Sequence, residues 1–465
     1  MKLISSFGIT LMLLLLITES YAQSPVKTEW WLTNTDKSAL LEKQKVLLPV
    51  AQNQGLPAIL VDETRQYQSM DGFGYALTGG SAILINAMTP ETRSALLNEL
   101  FGNKENELAV SYLRISIGAS DLSERVFTYS DLPVGETDPE MKKFSIEPEQ
   151  KDLIPVLKEI LKINPKIKIM GSPWTPPVWM KTNKNSKGGS LLPEFYDAYA
   201  LYFVKYINAM NAEGIRIDAI TIQNEPLHPG NNPSLLMPAA EQAAFIKKSL
   251  GPAFRKAGLD TKIIIYDHNA NRIDYPLEIL NDAEARQYVD GSAFHLYEGG
   301  IEALSKVHDA YPDKNLYFTE QWVGAPGNFA GDFNWHVQNL IIGASRNWCK
   351  TVIEWNLAGD PKQNPHTEGG CTQCLGAVTI DGNLVTRNPA YYIIGVASKF
   401  VSAGSVRIES NLSQNLPNVA FKTPEGKIAV IVLNSSKTEQ AFQLKLKGKY
   451  FEASLKSGSV ATFVL

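Results

Sequence analysis

An α/β architecture, a closed (β/α)₈ TIM barrel joined to a β-sandwich, is predicted by three features of the 465-residue chain. Between about residues 70 and 357, short β-branched or apolar runs alternate with longer segments of helical periodicity, the pattern of repeated βα units around a parallel sheet. Several of these runs (YLRISI, AITI, KIIIY) are almost continuously apolar, as strands covered by helices must be. After residue 400 the texture changes to period-two alternation punctuated by turn residues, which reads as a sandwich.

The chain opens with Lys2, an apolar run centred on Leu11 to Ile17, and small residues around Ser20-Tyr21-Ala22. This is the pattern of a signal peptide over residues 1–22, and it predicts a secreted or periplasmic protein. The run is shorter than the ~20 residues that span a bilayer, so no transmembrane anchor is expected. Residues 23–65 form an N-terminal segment expected to contribute to the sandwich, with a helix near Ser38 to Lys45 and a strand from Ala58 to Asp62.

The barrel is placed at residues 66–390, with strands at Met70 to Ala76, Ala109 to Ile117, Lys166 to Ser172, Asp218 to Gln223, Lys262 to Tyr266, Gly291 to Leu296, Asn315 to Thr319 and Thr351 to Trp355. Between them, Pro148 to Lys162 and Pro193 to Asn208 repeat apolar residues at three and four and read as amphipathic helices. A doubly wound open sheet is the competing topology, but no GxGxxG follows the first strand. Residues 391–465 supply the sandwich strands SVRIES, NVAFKT, KIAVIVLN, AFQLKLKG, FEASLKS and ATFVL.

Net charge is −4 with both signs interspersed, which gives no footprint for nucleic acid or an anionic membrane. The three cysteines lie late, at Cys349, Cys371 and Cys374. The Cys371-Thr-Gln-Cys374 pair suits a loop-stapling disulfide in an oxidising compartment, or half a zinc site with Cys349 or His366; no second CxxC or HxxxH is present.

Chemistry concentrates at strand ends. TIQNEP closes the fourth strand and YFTEQW the seventh, so Glu225 and Glu320 emerge at the C-terminal face of the barrel, where barrel active sites form. Two carboxyl groups roughly 5 Å apart are what a retaining glycosidase needs, one to attack the anomeric carbon and one to protonate the leaving oxygen and then activate water. Asn224 beside Glu225 offers an amide for a sugar hydroxyl. A carboxyl near a second carboxylate should have its pKa raised, which makes Glu225 the candidate acid/base and Glu320 the candidate nucleophile. Such a mechanism requires no metal or cofactor.

The run of GFGYALTGGSA, YLRISIGASDLS, GSPWTPPVWMKTN, TIQNEP, YFTEQWVG, EWNLA and YYIIGVASKFV, in this order, resembles glycoside hydrolase family 30 from about residue 70 to the C-terminus. The resemblance implies a clan A barrel fused to a β-sandwich and hydrolysis with retention. It further implies that Asp121 and Trp174 hold sugar hydroxyls, that Trp355 forms another wall, and that Arg114, a charge inside an apolar strand, pairs with Glu320. Tyr297 would hydrogen-bond the nucleophile and His295 would position the site.

The substrate would be a carbohydrate. The wording TIQNEPLHPGNNPSL, the triplet Asp267-His268-Asn269 and the stretch NPHTEGGCTQCLGAVTI lean toward the β-1,6-glucanase branch. Glucosylceramidase, β-glucosidase, β-xylosidase and β-fucosidase activities are alternatives within the family. A catalytically silent carbohydrate-binding barrel is the alternative of another class.

Overall fold

The computed structural model describes residues 27–465. The expected signal peptide lies outside the described residues. Among the described residues, no helix is long and apolar enough to cross a membrane.

Eight parallel strands close into a barrel: Gly72–Ala76, Tyr112–Ser116, Lys168–Ser172, Ala219–Thr221, Lys262–Asn269, Val289–His295, Asn315–Glu320 and Cys349–Asn356. All eight expected runs are strands. They pair in chain order, the eighth returning to the first. The helices Leu153–Ile163 and Tyr196–Ala212 cover the barrel, each preceded by a 3₁₀ turn at Glu147–Glu149 or Pro193–Phe195 where a helix alone was expected.

The period-two alternation of the strands explains where the polar residues go. Tyr112, Met170, Ala219, Ile264, Ala293, Tyr317 and Ile353, one from each strand after the first, meet inside the barrel and fill it. Two residues further on, six of those seven strands bring Arg114, Ser172, Thr221, His295, Thr319 and Trp355 to the next layer up. The first strand faces the interior with Gly72, Gly74 and Ala76; a Cβ at Gly74 would lie 1.7 Å from the Tyr112 carbonyl oxygen, so the close approach of these two strands requires glycine.

Nine strands form the second layer system, in the order Glu42–Lys43, Glu29–Thr33, Val460–Val464, Ile428–Leu433, Asn418–Lys422, Val406–Ser410, Ala58–Ser69, Gln440–Leu446 and Lys449–Leu455. They enclose one apolar core that includes Ile59, Ile408, Val430, Phe442, Phe451 and Phe463. The long strand Ala58–Ser69 turns the corner. It runs antiparallel to Val406–Ser410 through two register shifts, and its first residues run parallel to Gln440–Leu446.

The helix expected near Ser38 to Lys45 is absent. Asp36 instead accepts hydrogen bonds from the Ser38 backbone and hydroxyl, Lys37 and Leu41 adopt left-handed φ of 61° and 50°, and Glu42–Lys43 pairs as a short edge strand. A side chain that satisfies its own backbone competes with a helix, and left-handed residues end one. The strand Glu29–Thr33 was not foreseen, and the helix Pro389–Ser398 runs across the expected boundary at residue 390.

Candidate active site

A cavity of about 380 Å³ opens at the C-terminal mouth of the barrel, and its lining includes Glu225, Glu320, Asp121, Trp174, Asn224, Tyr297 and Trp355. These are seven of the residues expected from the sequence. Beneath them, Arg114 and His295 are fully buried.

Glu225 and Glu320 each place a carboxylate oxygen within 4.8 Å of the other and of a ring nitrogen of His295. Among the described residues, this trio is the one close enough to share an ion, but hydrogen bonds already tie its imidazole to a carboxylate on either side. Both oxygens of Glu320 are held: Arg114 Nη1 donates to Oε2 at 2.6 Å and the Tyr297 hydroxyl donates to Oε1 at 2.9 Å. Glu225 differs. His295 Nδ1 lies 3.2 Å from its Oε1, while Oε2 has no protein hydrogen bond among the described residues.

Arg114 is the hub. Its Nε donates to Ser172 at 3.1 Å and its Nη2 to Asn224 Oδ1 at 2.6 Å and to Asp267 at 2.8 Å. Asn224 therefore spends its carbonyl on Arg114, which turns its amide group into the one available to a sugar. The guanidinium also stands over the rings of Trp174 and Trp355, at 4.9 and 5.6 Å, and the two indoles pack at 5.4 Å.

Asp267 was the principal omission of the sequence reading, which used Asp267-His268-Asn269 only as a mark of substrate class. Fully buried, it accepts from Arg114, Thr221, Thr319 and His295. Burial alone would raise its carboxyl, but Arg114 and His295 hold it far below the usual carboxylate range. The fifth strand runs to Asn269 rather than stopping at Tyr266, and a register shift between Tyr266 and His268 turns Asp267 inward. A polar triplet directly after the buried run KIIIY was the available signal. Tyr266, Asp267 and Glu225 all hold left-handed backbone, with φ of 73°, 71° and 45°, and the Glu225 amide donates to the Asp267 carbonyl at 3.0 Å. Strain of this kind persists where the surroundings over-determine it. His228, Asn231, His268, Glu298 and Trp322 also line the cavity and were not expected as site residues.

The charges follow from this packing. Burial disfavours the His295 cation, yet Glu320, Asp267 and Glu225 together push its pKa up to about 9. Burial also raises Glu320, against the pull of His295 and Arg114. Glu225 would be raised by burial too, but its bond to His295 and the fields of His268 and His228 bring it below its ordinary value. This reverses the order expected from the sequence, because the imidazolium sits against Glu225. Two buried cations, Arg114 and His295, face three carboxyls, Asp267, Glu225 and Glu320, so one proton shared by the two glutamates leaves the cluster neutral. Close carboxyls titrate as a pair. Asp121, buried and near both glutamates, is itself pushed up to about 7.

Cys371 and Cys374 are joined by a disulfide on the cavity wall, and Cys349 is free and buried elsewhere.

Comparison with known proteins gives a consistent picture. The model of the glycosyl hydrolase family 30 TIM-barrel domain matches residues 70–401, and that of the family 30 β-sandwich domain matches residues 404–463. An endo-1,6-β-D-glucanase of Neurospora crassa is 34% identical over 433 residues, covering 88% of each chain. Lysosomal acid glucosylceramidase of Mus musculus is 31% identical over 401 residues, covering 80% of this chain and 76% of its own. The solved structure of an endo-β1,6-glucanase superposes with a TM-score of 0.88 at 37% identity, covering 94% of this chain and 99% of that one.

Proposed function

Because the chain belongs to glycoside hydrolase family 30, a family of retaining glycosidases, we propose that it cleaves β-1,6-glucan by double displacement, with Glu320 as nucleophile and Glu225 as acid/base. The observation that carries the mechanism is the approach of the two carboxylates to within 4.8 Å at the barrel mouth, the separation of a retaining pair.

The roles follow from what each carboxylate touches. Arg114 and Tyr297 fix both oxygens of Glu320, which orients it for attack on an anomeric carbon. Glu225 keeps Oε2 free to meet the leaving oxygen. The one shared proton divides between the two glutamates, and the reactive form carries it on Glu225. Arg114 and Tyr297 stabilise the ionised Glu320 of that form. Transfer of the proton to the leaving oxygen accompanies formation of the glycosyl ester on Glu320; Glu225 then takes a proton from water, whose oxygen attacks the anomeric carbon and releases Glu320.

Within this frame Asp121 and the Trp174 and Trp355 indoles bind the sugar next to the cleaved bond, and Asn224 offers its amide to a hydroxyl. Carboxyl and N–H groups suit hydroxyls that both donate and accept.

Three relatives named endo-1,6-β-glucanase, at 32–34% identity over 84–88% of their length, support the choice of substrate. Purified protein is expected to release oligosaccharides from β-1,6-glucan and to leave glucosylceramide and glucuronoxylan unhydrolysed. Release of ceramide without action on β-1,6-glucan would overturn this substrate.

The signal-peptide pattern supports export. The mature protein recovered from periplasm or medium is expected to begin at Gln23 on N-terminal sequencing; an intact Met1 on exported protein would contradict it.

A further inference from the structure

At the cavity, Trp174, Trp355 and Cys374 share one apolar cluster, and Trp322 and Cys371 pack against it, half-buried. Trp322 stands two residues beyond Glu320 on the loop after the seventh strand, and Trp322, Cys371 and Cys374 all face the cavity. None of the interactions that hold Glu320 in place involves them.

The segment carrying the disulfide is tied at both ends. Upstream, the Thr367 amide donates to the Asp121 carbonyl at 2.9 Å and its hydroxyl to the Asn232 carbonyl at 2.6 Å. Downstream, Cys374–Leu375 pairs with Val323–Gly324, and the Ala325 amide donates to the Gln373 carbonyl at 2.8 Å. The bridge thereby braces the loop that holds Trp322. An indole with one face open to a cleft offers an apolar surface to the C–H face of a sugar ring, at little cost in side-chain freedom when the ring is already fixed from behind.

We propose that Trp322 and the Cys371–Cys374 bridge form a platform for a second sugar of the substrate, on the side that stays with the enzyme after cleavage, so that they set the preference for chains over single glucosides. The side is assigned by strand order: Glu225, which protonates the departing sugar, follows the fourth strand and His268 lies in the fifth, whereas Trp322 and the bridge follow the seventh and eighth, across the barrel. This rests on the glycosidase reading above and deepens it. Trp322 is a specificity-determining residue here, and the disulfide positions it.

The test compares Trp322→Ala and the double variant Cys371→Ser/Cys374→Ser with wild type on an aryl β-glucoside and on β-1,6-linked gluco-oligosaccharides of two to five units. The aryl glucoside, which does not reach the platform, is the reference against which the losses of both variants on the oligosaccharides are read. The rise in kcat/KM that wild type gains from each added sugar should shrink about tenfold at the step that fills the platform, mostly through KM. An unchanged dependence on chain length, or an equal loss on the aryl glucoside, would overturn the proposal. Trp322→Ala decides alone if the double variant does not fold. If wild type cleaves no β-1,6 linkage, the substrate choice fails separately, and the same length series in the glucan it does cleave decides the platform.

Discussion

Glu320→Gln is expected to lower kcat by about 10⁴-fold or more, or ~5.5 kcal/mol at 1.36 kcal/mol per decade, while leaving sugar binding intact. The amide keeps the shape of the side chain, and its oxygen can still accept from Tyr297 or Arg114, but it cannot form the glycosyl ester. The loss should be the same for good and poor leaving groups. Glu225→Ala should behave differently. Attack by Glu320 survives, so aryl glucosides with acidic phenols should retain much of their first step, and azide should restore turnover by entering where water is no longer activated. Steady-state kinetics on a leaving-group series, with and without azide, reads both outcomes. A carbohydrate-binding barrel without chemistry would show no turnover to lose, and a Glu320→Gln variant as active as wild type would displace the nucleophile from this position.

Arg114→Met should destabilise the protein by about 3–5 kcal/mol, the usual cost of removing one partner from a buried ion pair. The guanidinium is fully buried and faces Asp267 and Glu320 at 2.8 and 2.6 Å; without it, the two carboxyls have only His295 as a nearby cation. Arg114→Lys keeps a charge but cannot reach Ser172, Asn224, Asp267 and Glu320 together, because an ammonium lacks the planar fork. It should fold with a smaller drop in melting temperature and still lose activity. Thermal unfolding followed with kcat/KM on the three proteins separates stability from chemistry. Wild-type melting behaviour in Arg114→Met would mean that the pairs contribute nothing net.

These two residues also show how far the sequence could be read. Arg114 and Glu320 stood out because a charge in a buried strand and a carboxylate at a strand end break an apolar pattern, and the period-two alternation that fills the barrel also carries Arg114 to its mouth. Asp267 escaped because its strand was ended at Tyr266. A register shift and two left-handed residues turn it inward, and neither leaves a mark in residue type. The order of the glutamate pKa values was misjudged for a related reason. Proximity of the two carboxyls was legible, but the seat of the His295 cation against Glu225 depends on three strands meeting. The N-terminal helix failed on local chemistry: Asp36 and Ser38 satisfy each other through a turn, a competitor that apolar spacing does not register.

The order of the sandwich strands bears on how the chain matures. Val460–Val464 lies between Glu29–Thr33 and Ile428–Leu433, so this sheet has a gap in its middle until residue 464 has been synthesised. All eight barrel strands are made by residue 356, well before that gap can be filled. A ribosome-bound intermediate would carry two unpaired strand edges awaiting the same late insertion, and such edges invite pairing with other chains.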